Sequence, residues 1–539
     1  EVSPADRQVI VAKLSEFSSA ISADFVLPSR LALSRYIAAY VNGFHEHLPF
    51  LHIPTMSIEY CSIELTLAMA AVGAQYCFEG EKGVELFNAS QAIASSRIRR
   101  RDASLGRPGM SNHSSGYDVS ASSSTRTGSI SGPLGLPSDA EISPASQKPD
   151  LIQTAQALLL LMAMATWAKH REILREALAI QSILATLVRD DGLKMQSLPK
   201  TASWEEWVRF ESTKRTKLIV FCFFNLHCIV YNIPPLILNS EIKLNLPSTA
   251  AEFKAPTATA WKELRKKSTP EIGFQEALRR LFSRSGRDIA ESNSSLGNYI
   301  LIHALVQQIF FVRQIANCRY DSAGEFTQEE FSSLEHALRN WQLGWKRTPE
   351  SSLDPMDPNG PVAFNSTAIL RLAYIRLNID IGPYRSLDTR DPIQIANAFR
   401  ESPDIKRTPK LVRAVLHSAH ALSIPVKIGI RLVSKTQTFI WSIQHSLCSL
   451  ECAFLLSKWL EALSLPNPEP PITDDEWRIS SLVKTMLNET EFAVPSDIPT
   501  DSPAMLKHLS AGVLRVWATI FRGAQTWAIV DVIGRSLNT

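Results

Sequence analysis

The residues best suited to chemistry in this chain are a carboxylate and a guanidinium, Glu211 and Arg215, one helical turn apart in the stretch from Ser203 to Trp261. At about 100° per residue, Trp204, Trp207, Glu211, Arg215, Leu218, Cys222, Asn225 and Ile229 fall on one narrow stripe. The acid precedes the base at i, i+4, the better orientation for a helical ion pair. Exposed, such a pair contributes about 0.3–0.5 kcal/mol. Buried, deleting one partner strands a charge at roughly 3–5 kcal/mol. The opposite face is polar up to Thr216 and then apolar, with Val220, Phe223 and Phe224, so the helix runs from a surface into a core. The spacing predicts a central, buried helix with a structural ion pair and an aromatic stripe.

Other constellations fall short of the chemistry they suggest. Thr473-Asp474-Asp475-Glu476-Trp477-Arg478 gathers acids for Mg²⁺, but Arg478 stands where a metal site wants another acid. Acids opening a helix and complementing its dipole explain that cluster better. Aligning Asn359-Gly360 with the turn of a calcium loop puts Pro355 and Ser366 at its two essential acidic positions. His417 and His420 share a helical face, as do His445, Cys448 and Cys452. Neither set has a C-x-x-C or a fourth partner to close a tetrahedral site, and core packing is the better reading. No G-x-G-x-x-G, P-loop, H-E-x-x-H or G-x-S-x-G occurs. No catalytic, cofactor-binding or metal site is expected. Two basic features remain. Arg97, Arg99, Arg100 and Arg101 close a helix, where they favour the dipole or serve as a nuclear-import or DNA-contacting patch. Trp261–Arg287 carries a net +5, the balance of a solvated helical face or of a surface for an acidic partner.

The elements that must position these residues are helical. Of 539 residues, 45% are hydrophobic and 20% charged, ordinary for a soluble globular protein. The net charge of +3 is too balanced to mark a nucleic-acid surface. Seven cysteines without paired spacing fit a reducing compartment. Leu218 to Ser240 carries no formal charge, but Pro234-Pro235 ends the helix short of the roughly 20 residues of a membrane span. No membrane partner is expected. Helical period recurs over Ser29–Phe44, Ile63–Phe78, Val84–Arg101, Leu151–Trp167 (with Asp150 and Gln153 as a capping box), Arg171–Arg189 and the central helix. It returns at Glu271–Arg284, Ser294–Arg319, Thr327–Trp345, Asn365–Asn378, Pro409–Leu422, Lys435–Leu463, Asp475–Asn488 and Pro503–Leu537. Strand alternation is nearly absent, and the chain is predicted to be all-α. Ala103–Pro149 is rich in Ser, Gly and Pro and is expected to be a disordered insertion, because it cannot bury enough apolar area to offset its ordering entropy.

The pattern W-x-x-W-x-x-x-E-x-x-x-R over Trp204, Trp207, Glu211 and Arg215 continues through Pro234, Pro235, Glu241, Leu246, Pro247 and Trp261. It resembles the fungal-specific transcription factor domain, the middle regulatory region of fungal zinc-finger activators and repressors. HLPFLHIPT from His47 to Thr55 is a second match. PKLVRAVLHSAHALSIPVKIG and WATIFRGAQTWAIVDVIG resemble the subgroup with two-Cys two-His fingers. The likeness runs from about Pro28 to the end. It implies a lead-in over 1–27 and one large helical regulatory domain over 28–539, with 103–149 as an insertion within it. It further implies a nuclear protein that senses an effector, contacts coregulators or homodimerises. Zinc and DNA contact would belong to a separate module N-terminal to Glu1, since no six-cysteine cluster or C₂H₂ finger occurs here. The alternatives are a scaffold of the same fold, as in centromere assembly, or an all-α enzyme.

Overall fold

Many helices in this chain begin where a short hydroxyl side chain satisfies the first free N–H groups. Ser3, Ser203, Thr327 and Thr473 do so as full capping boxes, with Asp6, Glu206, Glu330 and Glu476 reaching back to the cap. The computed structural model describes residues 1–105, 151–168, 171–199, 201–284, 294–320 and 324–539. The first helices are α1 (Pro4–Ser15), α2 (Arg30–Tyr40), α3 (Ile63–Tyr76), α4 (Gly80–Leu105), α5 (Ile152–Thr166), α6 (Arg171–Asp190) and the central α7 (Trp204–Tyr231). Short helices α8 (Ala250–Phe253), α9 (Ala258–Arg265) and α10 (Phe274–Leu281) follow. Then come α11 (Ser295–Asn317), α12 (Gln328–Arg347) and α13 (Val362–Asn378). The C-terminal part holds α14 (Pro392–Arg400), α15 (Leu411–Ile428), α16 (Ile430–Ile440), α17 (Ile443–Leu463), α18 (Asp474–Asn488), α19 (Pro503–Phe521) and α20 (Ala528–Asn538). Among the described residues there is no strand, only an isolated bridge between Asn245 and Gly273. The fold is all-α.

Composition decides which helices lie innermost. α3 and α5 are apolar nearly all round and buried over most of their length. α2, α4 and α5 pack on α3, while α11, α13, α17 and α19 pack in series. α7 touches α5, α6 and α11 and so joins the two groups. A contiguous apolar core runs through both, with a satellite cluster of Trp207, Val208, Phe253, Ala255 and Trp261 at the start of α7. α11 is long and apolar enough by composition to cross a membrane, and 83% of its apolar window is buried inside the bundle.

Several boundaries differ from the sequence reading, for local physical reasons. Pro503–Leu537 is broken at Gly523, where a Cβ would stand 1.9 Å from the Ser434 carbonyl oxygen. The turn between α19 and α20 exists because only glycine fits there. Lys435–Leu463 divides at Trp441 and Ser442, which turn extended. The Trp441 ring then packs against Phe364 and His445. α15 continues past Pro425 for almost a turn, ending at Gly429 with φ of 104°. The Asp150 expected to cap α5 lies outside the described residues, while the Gln153 side chain accepts from the Ser62 backbone N–H and donates to the Tyr60 carbonyl at 3.1 Å, tying α5 to the start of α3. α4 runs on to Leu105, so Ala103 is still helical. The insertion expected over 103–149 lies, from residue 106 on, outside the described residues.

A close helix crossing sits at Gly73, where an added Cβ would stand 1.8 Å from the Tyr36 carbonyl oxygen of α2. Gly73→Ala must push α2 off α3 and is expected to destabilise the protein by about 1–3 kcal/mol or more. Gly80→Ala, which meets nothing nearer than 3.7 Å, should stay within about 1 kcal/mol in the same urea titration.

Candidate functional site

Glu211 and Arg215 lie inside the protein, 0% and 1% exposed. Arg215 Nε donates to Glu211 Oε1 at 2.9 Å. The same oxygen accepts from the Ser248 N–H and hydroxyl, each at 2.9 Å. Lys214, also buried, places its ammonium 2.8 Å from Glu211 Oε2 and 3.1 Å from Glu271. Burial alone would raise the Glu211 carboxyl, but Lys214 and Arg215 hold it down at about 2. The remaining Arg215 donors reach the Pro49 carbonyl at 3.3 Å and the Ser248 carbonyl at 2.8 Å. Its guanidinium stacks 3.7 Å from the centre of the Phe253 ring. One side chain thus joins α7 to two extended segments distant in sequence.

Those segments are fixed from their other sides too. Leu246 N–H donates to the Ile272 carbonyl at 2.9 Å, and the Pro247 carbonyl accepts from Ser294 at 2.8 Å. Glu350 accepts from the first N–H groups of α8 (Ala250, 2.6 Å) and α11 (Ser295, 2.8 Å), where a carboxylate also complements the helix dipoles. On the other flank, Trp204 is half-buried and meets His52 edge-on at 5.7 Å. Trp207 and Trp261 pack with centroids 5.3 Å apart. The stripe is therefore graded: Trp204 and Trp207 border the satellite cluster, Glu211 and Arg215 form a polar knot, and Leu218 onward enters the main core. The cavity beside Arg215 measures about 10 Å³, room for one water molecule at most and for no substrate.

Arg97, Arg99, Arg100 and Arg101 do not close the helix as expected, because α4 continues to Leu105 with no basic residue in its last turn; they turn inward as well as outward. Arg97 pairs with buried Glu64 at 2.8 Å, and Arg97 and Arg100 lie over the Phe17 ring. Arg101 pairs with Asp190, while Arg99 is exposed. His445, Cys448 and Cys452 are all buried on α17. His445 bonds Asn365 at 3.1 Å, and Asn365 bonds His47 at 3.2 Å, a polar link from α17 through α13 to the HLPFL turn. Thr473 and Glu476 cap α18, and Glu476 also takes Arg407.

Two features are absent from the sequence reading. Lys214 completes the knot, and a second buried ion cluster joins Arg376 of α13, Arg385 and Glu451 of α17. Arg376 Nε donates to Glu451 at 2.7 Å and Arg385 at 3.1 Å. Burial, with Arg376 alongside, brings the Arg385 guanidinium down to about 9. The signal for it was a lone acid in an apolar helix, SLCSLECAFLL.

The family model of the fungal specific transcription factor domain matches residues 37–343, more than half of the chain. The chain belongs to that family. A model of the fungal transcription factor C-terminal domain matches residues 380–539. Comparison with curated proteins yields no match, and comparison with solved structures yields none. The family is non-catalytic, and membership gives this fungal transcription factor domain a role in regulating transcription. The knot sits inside the first matched region, where it fastens α7 to the HLPFL and LPST segments.

Arg215→Ala leaves Glu211 buried with a partner removed and is expected to cost about 3–5 kcal/mol in a urea titration. Arg431→Ala, which breaks an exposed 2.6 Å pair with Glu491, should cost less than about 1 kcal/mol. Equal small effects would contradict the pinning role. A second expectation concerns acid. Burial lowers His45, His227 and His303 to about 3 and His47, His52 and His417 to about 4, from 6.5. These groups are neutral when folded, so stability is complete above pH 6.5 and drains away as pH falls toward 3–4. The acid loss from Glu211 starts lower, below 4.5. At pH 5 each of the deepest histidines opposes folding by about 2 kcal/mol. A urea midpoint that stays level from pH 7 to pH 5 would refute this.

Proposed function

We infer that the chain is the regulatory region of a fungal transcription factor acting on RNA polymerase II transcription in the nucleus. It takes a signal from an effector or coregulator and passes it to a zinc-binding DNA reader carried outside this chain. The observation that carries the reading is the pair of family-model matches, which together span both helical groups. The site supports it. Buried charges at the knot are paired with opposite charges, tied by hydrogen bonds through Glu211 Oε1 and closed to substrate, which suits a framework that holds helices in register.

The test is a fusion of the full chain to an unrelated DNA-binding module in a fungal host carrying that module's reporter. Reporter transcription is expected to differ several-fold, in either direction, from that of the module alone. The Arg215→Ala fusion should lose the difference while the module still occupies its site. A wild-type fusion indistinguishable from the bare module would overturn the reading.

A further inference from the structure

A cavity of about 520 Å³ lies between the turn joining α3 to α4 and the turn joining α19 to α20. That is within the roughly 300–1,000 Å³ that holds a drug-sized molecule. Its apolar walls are Phe87, Met164, Trp167, Ile173 and Trp527, drawn from α4, the end of α5, α6 and the turn before α20. Glu81, Glu176, Gln75 and Asn88 make up much of the polar remainder, and no described lining residue carries a positive charge. Trp167 is 1% exposed, and its indole N–H meets no acceptor among the described residues. A buried donor without a partner is costly, and the side chain that carries this one belongs to the cavity wall.

The cavity also lies on the seam between the two matched regions. Ile529 N–H, at the start of α20, donates to the Trp167 carbonyl at 3.3 Å. Tyr76 meets Trp527 edge-on at 5.8 Å. Phe78, at a backbone φ of 59° that bulky residues rarely adopt, sets its ring against Phe439 of α16 at 6.1 Å. Each contact joins a residue of the first matched region, 37–343, to one of the second, 380–539.

We propose that this cavity binds a flat, largely apolar, uncharged small molecule that offers one hydrogen-bond acceptor to Trp167, and that its occupation fastens the α19–α20 turn to α3–α6. The proposal rests on the regulatory reading above and gives the effector of that reading a place and a chemical class. Glu81 and Glu176 turn away carboxylates and phosphates, because like charges brought together repel.

Nile red, which is flat, uncharged and carries a carbonyl acceptor, is the probe. Titrated into the full chain, it should bind one-to-one with blue-shifted emission and raise the melting temperature at saturation. Val84→Trp, at a lining residue 44% exposed to solvent, fills the opening without entering the core and should weaken binding more than about tenfold. Trp167→Phe keeps an aromatic wall but removes the donor, and should weaken binding by about three- to tenfold. Melting curves of both variants without dye report whether they fold. Absence of one-to-one binding, affinity unmoved by both folded variants, or equal binding of an anionic dye in the same cavity overturns the proposal. Dye binding and reporter output are read separately. A silent fusion with intact dye binding sinks the regulatory reading and leaves the site, whereas an active fusion without dye binding does the reverse.

Discussion

The structure depends on one guanidinium surrounded by acceptors. Arg215 has five N–H donors on a planar fork, and its neighbours are a carboxylate one turn back, two carbonyls from separate extended segments and an aromatic face. A lysine at this position could not reach all of them, since its ammonium is a point charge without a plane to stack. The arrangement makes the two segments follow α7. HLPFL and LPST bury Leu48, Phe50, Leu51 and Leu246 in the core, and the shared cation adds the directional bonds that fix their course relative to α7.

Charge in this core is organised in small closed groups. Glu211 and Glu271 balance Lys214 and Arg215, while Glu451 stands between Arg376 and Arg385. Replacing such groups by well-packed apolar residues is often neutral or stabilising, so their use is better understood as fixing which helix faces which. Apolar contact has no direction, so helices as apolar as α3 and α5 could slide or rotate at little cost if it alone held them. Directional bonds remove that freedom, at Thr154 to Glu64 between α5 and α3, and at Asn365, Gln307 and Arg376 among the later helices. Gln307 of α11, for example, donates to Asn225 of α7 at 3.0 Å and accepts from Asn239 N–H at 2.7 Å.

Much of the fold was legible because helical period and capping chemistry are local. The starts of α7, α12 and α18 follow from Ser203/Glu206, Thr327/Glu330 and Thr473/Glu476. Breaks set by tertiary contact were not legible. Gly523 reads as an ordinary glycine until Ser434 of another helix is found against it. The short helices α8, α9 and α14 were passed over because four to nine residues carry too little periodicity to stand out. At the knot, the Glu211–Arg215 spacing was visible as one stripe, but Lys214 lies off it and Ser248 and Glu350 are separated from Arg215 by 33 residues or more. Only the folded backbone brings those together.

α13 falls between the two matched regions, in the stretch that neither family model covers. It nonetheless packs against α11 on one side and α15 and α17 on the other, and most of its residues are buried. The boundary between two regions of family likeness is thus the keel of a single hull. A protease nicking the chain near residue 350 would release no independent half, and recombination among relatives could exchange either region only by carrying a compatible keel along with it.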